Sequence, residues 1–92
     1  MKTKLLIAED EPLMRERLLS LLQNYWPHAQ VVAAAENGND AWDAFLEHEP
    51  EVAFLDIRMP GMSGLEVAQR IGSRAHVIFV TAYDQYAVPL KS

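Results

Sequence analysis

The sequence contains no cysteine and no long apolar run. The absence of cysteine excludes disulfide bonds and thiolate metal ligands, and it fits a reducing compartment. No stretch approaches the ~20 apolar residues that cross a membrane. The short apolar run at residues 5–8 ends at once in acidic residues, so a secretory signal is not expected. We therefore expect a cytoplasmic protein without a membrane segment.

Positive charge and glycine are also scarce. Eight basic residues against thirteen acidic ones leave a net charge of −5, which argues against a nucleic-acid-binding surface. The first of the four glycines is Gly38, far beyond the first apolar run at residues 5–8, so that run is not followed by a glycine-rich loop of the mononucleotide-binding kind. Because half of the residues are apolar and 23% are charged, residues 1–92 are expected to form one folded domain.

Four strand patterns alternate with helical patterns along the chain. Continuous apolar runs predict buried strands at residues 4–9, 31–35, 51–56 and 76–81. Strands that are apolar throughout and alternate with helices are typical of a parallel sheet covered on both faces. The predicted fold is therefore an α/β fold with an open, doubly wound parallel sheet.

The helices between these strands have recognisable starts and inner faces. The first begins at Pro12, the second is capped by Asn39 or Asp40, and the third is capped by Ser63, with Glu66 completing a capping box. A further helix-like stretch follows at residues 83–90. The apolar spacing predicts these inward-facing residues: Met14, Leu18, Leu21, Leu22 and Tyr25 on the first helix, Ala41, Ala44, Phe45 and His48 on the second, and Leu65, Ala68 and Ile71 on the third.

Residues suited to phosphate chemistry stand where three of the strands end. Glu9 and Asp10 follow the first strand, Asp56 follows the third, and Thr81 follows the fourth. The carboxyl ends of parallel strands share one edge, where such sheets bind ligands. Unpaired carboxylates ~4 Å apart repel by roughly 4 kcal/mol at an effective dielectric constant near 20. A Mg²⁺ ion would relieve this repulsion, and one carboxylate could then accept a phosphoryl group.

Three stretches carry a resemblance to a known family: residues 5–11, 54–64 and 78–83. The second, Asp-Ile-Arg-Met-Pro-Gly-Met-Ser-Gly, is the most specific. The chain resembles the receiver domain of a two-component response regulator, with a flavodoxin-like fold, and its last residues resemble receivers of the LytTR class. The resemblance implies signalling rather than enzymatic activity, a sensor histidine kinase as partner, and transcription regulation through a DNA-binding output domain that these 92 residues do not include.

The resemblance also assigns roles to particular residues. It implies that Asp56 is the phosphoacceptor and that Thr81 is the switch hydroxyl. It implies a Mg²⁺ ion held by Glu9, Asp10, Asp56 and the backbone carbonyl of Arg58.

The match ends early, because receivers of this family have a fifth strand ending in lysine and then a fifth helix. Lys91 comes too soon after Thr81 to end a fifth strand. The sequence therefore predicts a truncated receiver domain without the fifth strand and helix. Such a domain would expose the edge of the fourth strand, so self-association through that edge or through an exchanged element is expected.

Two other functions remain open from the residues. A receiver fold could serve as a non-phosphorylated dimerisation or interaction module. An aspartate-nucleophile phosphohydrolase would need a second acid two residues after Asp56, but position 58 is arginine.

Overall fold

The computed structural model describes residues 2–80, which form four strands and three α-helices. Predictions about Thr81, residues 83–90 and Lys91 lie outside the described residues. None of the described helices has the length and apolar character needed to cross a membrane. In chain order the elements are β1 (Lys4–Ala8), α1 (Pro12–Tyr25), β2 (Gln30–Ala35), α2 (Gly38–His48), β3 (Val52–Leu55), α3 (Gly64–Ile71), a 3₁₀ turn (Gly72–Arg74) and β4 (His76–Phe79).

The four strands form one parallel sheet in the order β2-β1-β3-β4. The chain winds outward from β1 to β2 and then crosses back to β3 on the other side of β1. The winding therefore reverses between β1 and β3, which is where open parallel sheets bind ligands. The predicted α/β fold is confirmed, and a fifth strand and a fifth helix have no counterpart within residues 2–80.

One face of the sheet packs against α2 and α3. Leu6, Ala8, Ala53 and Leu55 point to this side from the two central strands and are at most 1% exposed. The helices contribute Ala41, Phe45, Val67 and Ile71, which are also buried. The predicted inward faces of α2 and α3 are confirmed except at Leu65, which is 53% exposed because Gly64, Val67 and Ile71 form the buried row instead.

The opposite face packs against α1. Leu5, Ile7, Val52 and Phe54 form its buried layer, and Leu18, Leu19 and Leu22 of α1 are half-buried against it. The prediction that Leu21 and Tyr25 face inward is wrong, since they are 47% and 83% exposed. Helix α1 has two neighbouring apolar rows, and the sheet contacts the row that contains Leu19 rather than the row that contains Tyr25.

The caps of α2 and α3 place both helix N-termini beside the carboxyl edge of the sheet. Ser63 caps α3 as predicted, because its Oγ accepts the Glu66 N–H at 3.1 Å. The prediction for α2 is wrong: its N-cap is Asn37, whose Oδ1 accepts the Asp40 N–H at 2.8 Å. Asn39 instead lies inside the first turn of α2, where its side chain is free for another contact.

Candidate functional site

Three carboxylates meet where the sheet changes its winding direction. Ala8 and Leu55, the last residues of β1 and β3, are register partners. The Asp56 N–H continues the pairing by donating to the Ala8 carbonyl at 2.9 Å. Carboxylate oxygens of Glu9, Asp10 and Asp56 consequently lie within 4.8 Å of one another. The predicted convergence of these three residues is therefore present, whereas Thr81 lies outside the described residues.

Burial makes this convergence electrostatically costly. Glu9 is 1% exposed and Asp56 is 8% exposed, while Asp10 is open to solvent. Loss of hydration, helped by the nearby charges of Asp56 and Asp10, raises the pKa of Glu9 to about 7. Burial, together with the charge of Asp10, also raises the pKa of Asp56, against the opposing effects of Glu9 and of the Arg58 and Ile57 backbone N–H groups. Without a cation, the site therefore favours binding a proton at Glu9.

One buried oxygen of Glu9 has no partner. Its Oε2 accepts the Glu11 N–H at 3.1 Å, but its Oε1 makes no hydrogen bond among the described residues. Buried polar atoms are nearly always satisfied, so an unsatisfied carboxylate oxygen calls for a ligand. Hard oxygen donors of this kind suit Mg²⁺, which is bound through one or two carboxylates and water. The residues present therefore fit a divalent cation.

The loop after β1 is held by a contact that the sequence patterns did not predict. Arg15 of α1 donates from Nη1 to the Glu9 carbonyl at 2.8 Å, and its Nη2 lies 3.6 Å from Glu36 Oε2. Glu11 is the N-cap of α1, and its Oε1 accepts the Leu13 N–H at 3.2 Å. The sequence signal for this contact was the position of Arg15, a basic residue near the start of α1 and close to an acidic strand end.

The loop after β3 closes tightly around Asp56. The Gly64 N–H donates to the Ile57 carbonyl at 2.9 Å, and a Cβ at Gly64 would overlap the carbonyl oxygen of Asp56. Met59 is buried under the loop, while the side chain of Arg58 is exposed. Gly64 therefore allows the close approach of α3 to the Asp56 carbonyl. The role of the Arg58 carbonyl as a metal ligand remains a prediction.

Comparisons with known proteins all indicate the same protein family. The family model described as "Response regulator receiver domain" matches residues 5–91. An uncharacterized response regulatory protein of Vibrio cholerae is 52% identical over 89% of this chain and 33% of its own length. The sensory transduction protein LytT of Oceanobacillus iheyensis is 43% identical over 96% of this chain and 37% of its own length.

A solved structure shows the same likeness. The response regulator protein TrrA of Thermotoga maritima, crystallised in complex with Mg²⁺–BeF, is 40% identical to this chain, with a TM-score of 0.78. The match covers all of this chain and 79% of that one. This chain spans about a third of the length of the curated relatives that it matches.

Proposed function

The chain belongs to the family of response regulator receiver domains, and we propose that it accepts a phosphoryl group from a sensor histidine kinase onto Asp56. Receiver domains are signalling modules of two-component systems that bind Mg²⁺ at an acidic pocket. The proposal for this chain assigns metal binding to Glu9, Asp10, Asp56 and the backbone carbonyl of Arg58. Outside the described residues, it assigns the switch hydroxyl to Thr81.

The observation that carries the proposal is the convergence of Glu9, Asp10 and Asp56 within 4.8 Å at the winding switch. A structural role explains this poorly, because buried like charges oppose folding. A phosphoacceptor site explains it well, since a bound cation compensates the same charges. The crystal structure of TrrA in complex with Mg²⁺–BeF supports the choice of Mg²⁺.

The chemistry requires an ionised nucleophile. A carboxylate oxygen of Asp56 forms a bond to phosphorus while the phosphorus–nitrogen bond of the donor phosphohistidine breaks. The electron pair of the broken bond stays on the imidazole, which takes up a proton from solvent. The backbone N–H groups of Ile57 and Arg58 favour the ionised form of Asp56, because they lower its pKa against the effect of burial. Bound Mg²⁺ would supply positive charge that neutralises the acidic cluster and the phosphoryl oxygens.

Mass spectrometry tests the proposal directly. The 92-residue protein is incubated with a small-molecule phosphodonor and Mg²⁺, and the modified peptide is sequenced. We expect one phosphoryl group at Asp56 and none in an Asp56→Asn variant or after chelation of the metal. A wild-type chain that folds and binds Mg²⁺ but gains no phosphoryl mass would contradict the proposal.

A second candidate function is a receiver fold that acts only as an interaction module, without phosphorylation. The exposure of apolar residues on β4 favours this candidate, because Ile78 and Phe79 are 45% and 42% exposed. Among the described strands β4 is also the last in the sheet order. Self-association through this strand or through an exchanged element is part of both candidates.

Sedimentation over a range of concentrations tests self-association. We expect an assembly that weakens in an Ile78→Thr variant but not in a Leu65→Thr variant, since Leu65 is similarly exposed but lies on helix α3 and not on the β4 strand. A monomer at all concentrations excludes the association.

The proposal also covers the cellular location of the protein and its relation to DNA. We place the protein in the cytoplasm, where a sensor kinase would act on it. Any contact with DNA would belong to an output domain that is not among these 92 residues, as the names of transcriptional and sensory relatives suggest.

A further inference from the structure

The first turn of α2 touches the tip of the loop that follows Asp56. The Gly38 N–H donates to the Pro60 carbonyl at 3.3 Å. A Cβ at Gly38 would overlap the carbonyl oxygen of Met62, so only glycine allows this approach. The contact joins two segments that are distant in sequence, and it brings α2 against a loop that carries part of the proposed site.

Asn39 makes the one side-chain hydrogen bond in this contact among the described residues. Its Oδ1 accepts the Met62 N–H at 3.1 Å. The same side chain lies against Gly61, where a Cβ would come 3.1 Å from Asn39 Oδ1. Gly61 has a φ of 73°, so the tip of the loop has a left-handed bend that Asn39 covers. Because Asn37 caps α2, the Asn39 carboxamide has no capping task.

The loop runs between two fixed points. At its start, the Asp56 N–H donates to the Ala8 carbonyl at 2.9 Å, which fixes the loop to the end of β1. At its end, the Gly64 N–H closes on the Ile57 carbonyl at 2.9 Å. Between these points, the tip at Gly61 and Met62 is held by the first turn of α2. Release of the tip would let the peptide groups near Asp56 move, and small displacements of positioned groups weaken binding and catalysis.

We propose that Asn39 is a positioning residue for the loop after β3, and that through the Met62 N–H it sets the geometry of the peptide groups around Asp56. This inference rests on the proposed function of the acidic site. Asn39 touches neither Mg²⁺ nor the phosphoryl group in this proposal. It acts at a distance from the reacting atoms, by restricting the loop that surrounds them.

An Asn39→Ala variant tests the inference by three measurements. Loss of one hydrogen bond of about 1 kcal/mol should speed hydrogen exchange of the Met62 amide about fivefold. The affinity for Mg²⁺, measured by calorimetry, should fall about twofold to fivefold, and phosphorylation of Asp56 by a small phosphodonor should slow by a similar factor at limiting Mg²⁺. The melting temperature should change little, because alanine is a better helix former than asparagine.

Two further variants separate positioning from a general structural effect. Asn39→Asp retains an acceptor oxygen and should restore the protection of the Met62 amide. Gln69→Ala removes an exposed carboxamide from α3 and should leave amide exchange and Mg²⁺ affinity unchanged.

The inference and the proposed function fail in different ways. If wild-type protein takes no phosphoryl group, the proposed function is wrong, but Met62 exchange and Mg²⁺ affinity still decide the role of Asn39. If Asn39→Ala leaves either of these two quantities at its wild-type value, or if Asn39→Asp does not restore protection, the inference is overturned.

Discussion

The two faces of the sheet are packed very differently. On the α2–α3 face, ten buried apolar residues form one continuous cluster that includes residues of both helices. On the α1 face, the buried cluster contains only four strand residues, and α1 itself has no fully buried residue. A groove of about 400 Å³ opens beside α1, lined by Leu5, Leu19, Leu22, Gln23, Trp26, Pro27, Ala29 and Val31.

The more closely packed face is also the one whose helices contact the acidic site. The α2–α3 face carries both of the helices whose N-termini hold the loop after Asp56, through Gly38 and Gly64. The α1 face contributes the Arg15 contact to the Glu9 carbonyl, but its helix is half-exposed along its length. The closely packed face therefore supports the proposed phosphoacceptor, and the open face leaves apolar area accessible. Four predictions test this contrast.

The largest effect is expected in the α2–α3 core. Phe45 is 3% exposed, so Phe45→Ala should lower the free energy of unfolding by about 3–5 kcal/mol through lost burial and a cavity. Leu21 on α1 is 47% exposed, and Leu21→Ala should cost less than about 1 kcal/mol. Urea denaturation followed by circular dichroism measures both values. Similar losses in the two variants would remove the contrast between the faces.

A second pair of variants compares the glycines at the two ends of α3. Gly64→Ala places a Cβ against the Asp56 carbonyl and should cost about 1–3 kcal/mol by overpacking, with weaker Mg²⁺ binding. Gly72 has a φ of 58°, but no atom of the described residues lies within 4 Å of the place that its Cβ would take. Gly72→Ala should therefore cost about 1–3 kcal/mol through backbone strain alone and leave Mg²⁺ affinity unchanged. Calorimetric titration distinguishes the two, and equal loss of Mg²⁺ affinity would show that the effect is not local to Asp56.

The third prediction concerns the carboxyl edge, where the two faces meet. The pKa of Glu9 is about 7 in the folded chain against an ordinary value of 4.5, so the folded state binds this proton more tightly than the unfolded state. Without metal, the stability that this proton contributes should be fully present below pH 4.5 and should be lost, by on the order of 3 kcal/mol, as the pH rises to about 7.

Saturating Mg²⁺ should remove most of this fall, because a cation favours the ionised carboxylates. The measurement is thermal unfolding as a function of pH with and without Mg²⁺, and Glu9→Gln provides the control that lacks this titration. A metal-free stability that rises between these pH values would contradict the assignment.

The smallest effect is expected on the outer row of α1. Tyr25 is 83% exposed, and Tyr25→Ser should change the free energy of unfolding by no more than about 0.5 kcal/mol. Urea denaturation of this variant and of Leu21→Ala measures how much the outer row of α1 contributes to the free energy of unfolding. A loss above about 1 kcal/mol, which is twice the usual surface effect, would mean that α1 is covered in solution.

The acidic site was predictable because it depends on few geometric rules. Strands that are apolar throughout are typical of a buried parallel sheet, and parallel strands bring their carboxyl ends to one edge, so Glu9, Asp10 and Asp56 were expected at the same edge. The helix details were less predictable. Asn37, Asn39 and Asp40 are all good caps, and only the path of the chain selects Asn37.

Tertiary contacts also decided which apolar row is buried. The first helix offers adjacent rows through Leu19 and through Tyr25, and the pattern alone does not show which row the sheet will contact. The contacts of Arg15 and Asn39 could not be derived either, since each joins segments whose relative position follows from the fold.

The pairing of β1 with β3 has a consequence for the order of assembly. These strands are neighbours in the sheet although β2 and α2 lie between them in the chain. Their pairing must close a long loop, which is slow compared with the formation of local helices. We therefore expect the acidic pocket to form late in folding. During synthesis, the proposed Mg²⁺ site cannot form before β3 has left the ribosome. During refolding, the gain of Mg²⁺ affinity should coincide with the pairing of β1 and β3.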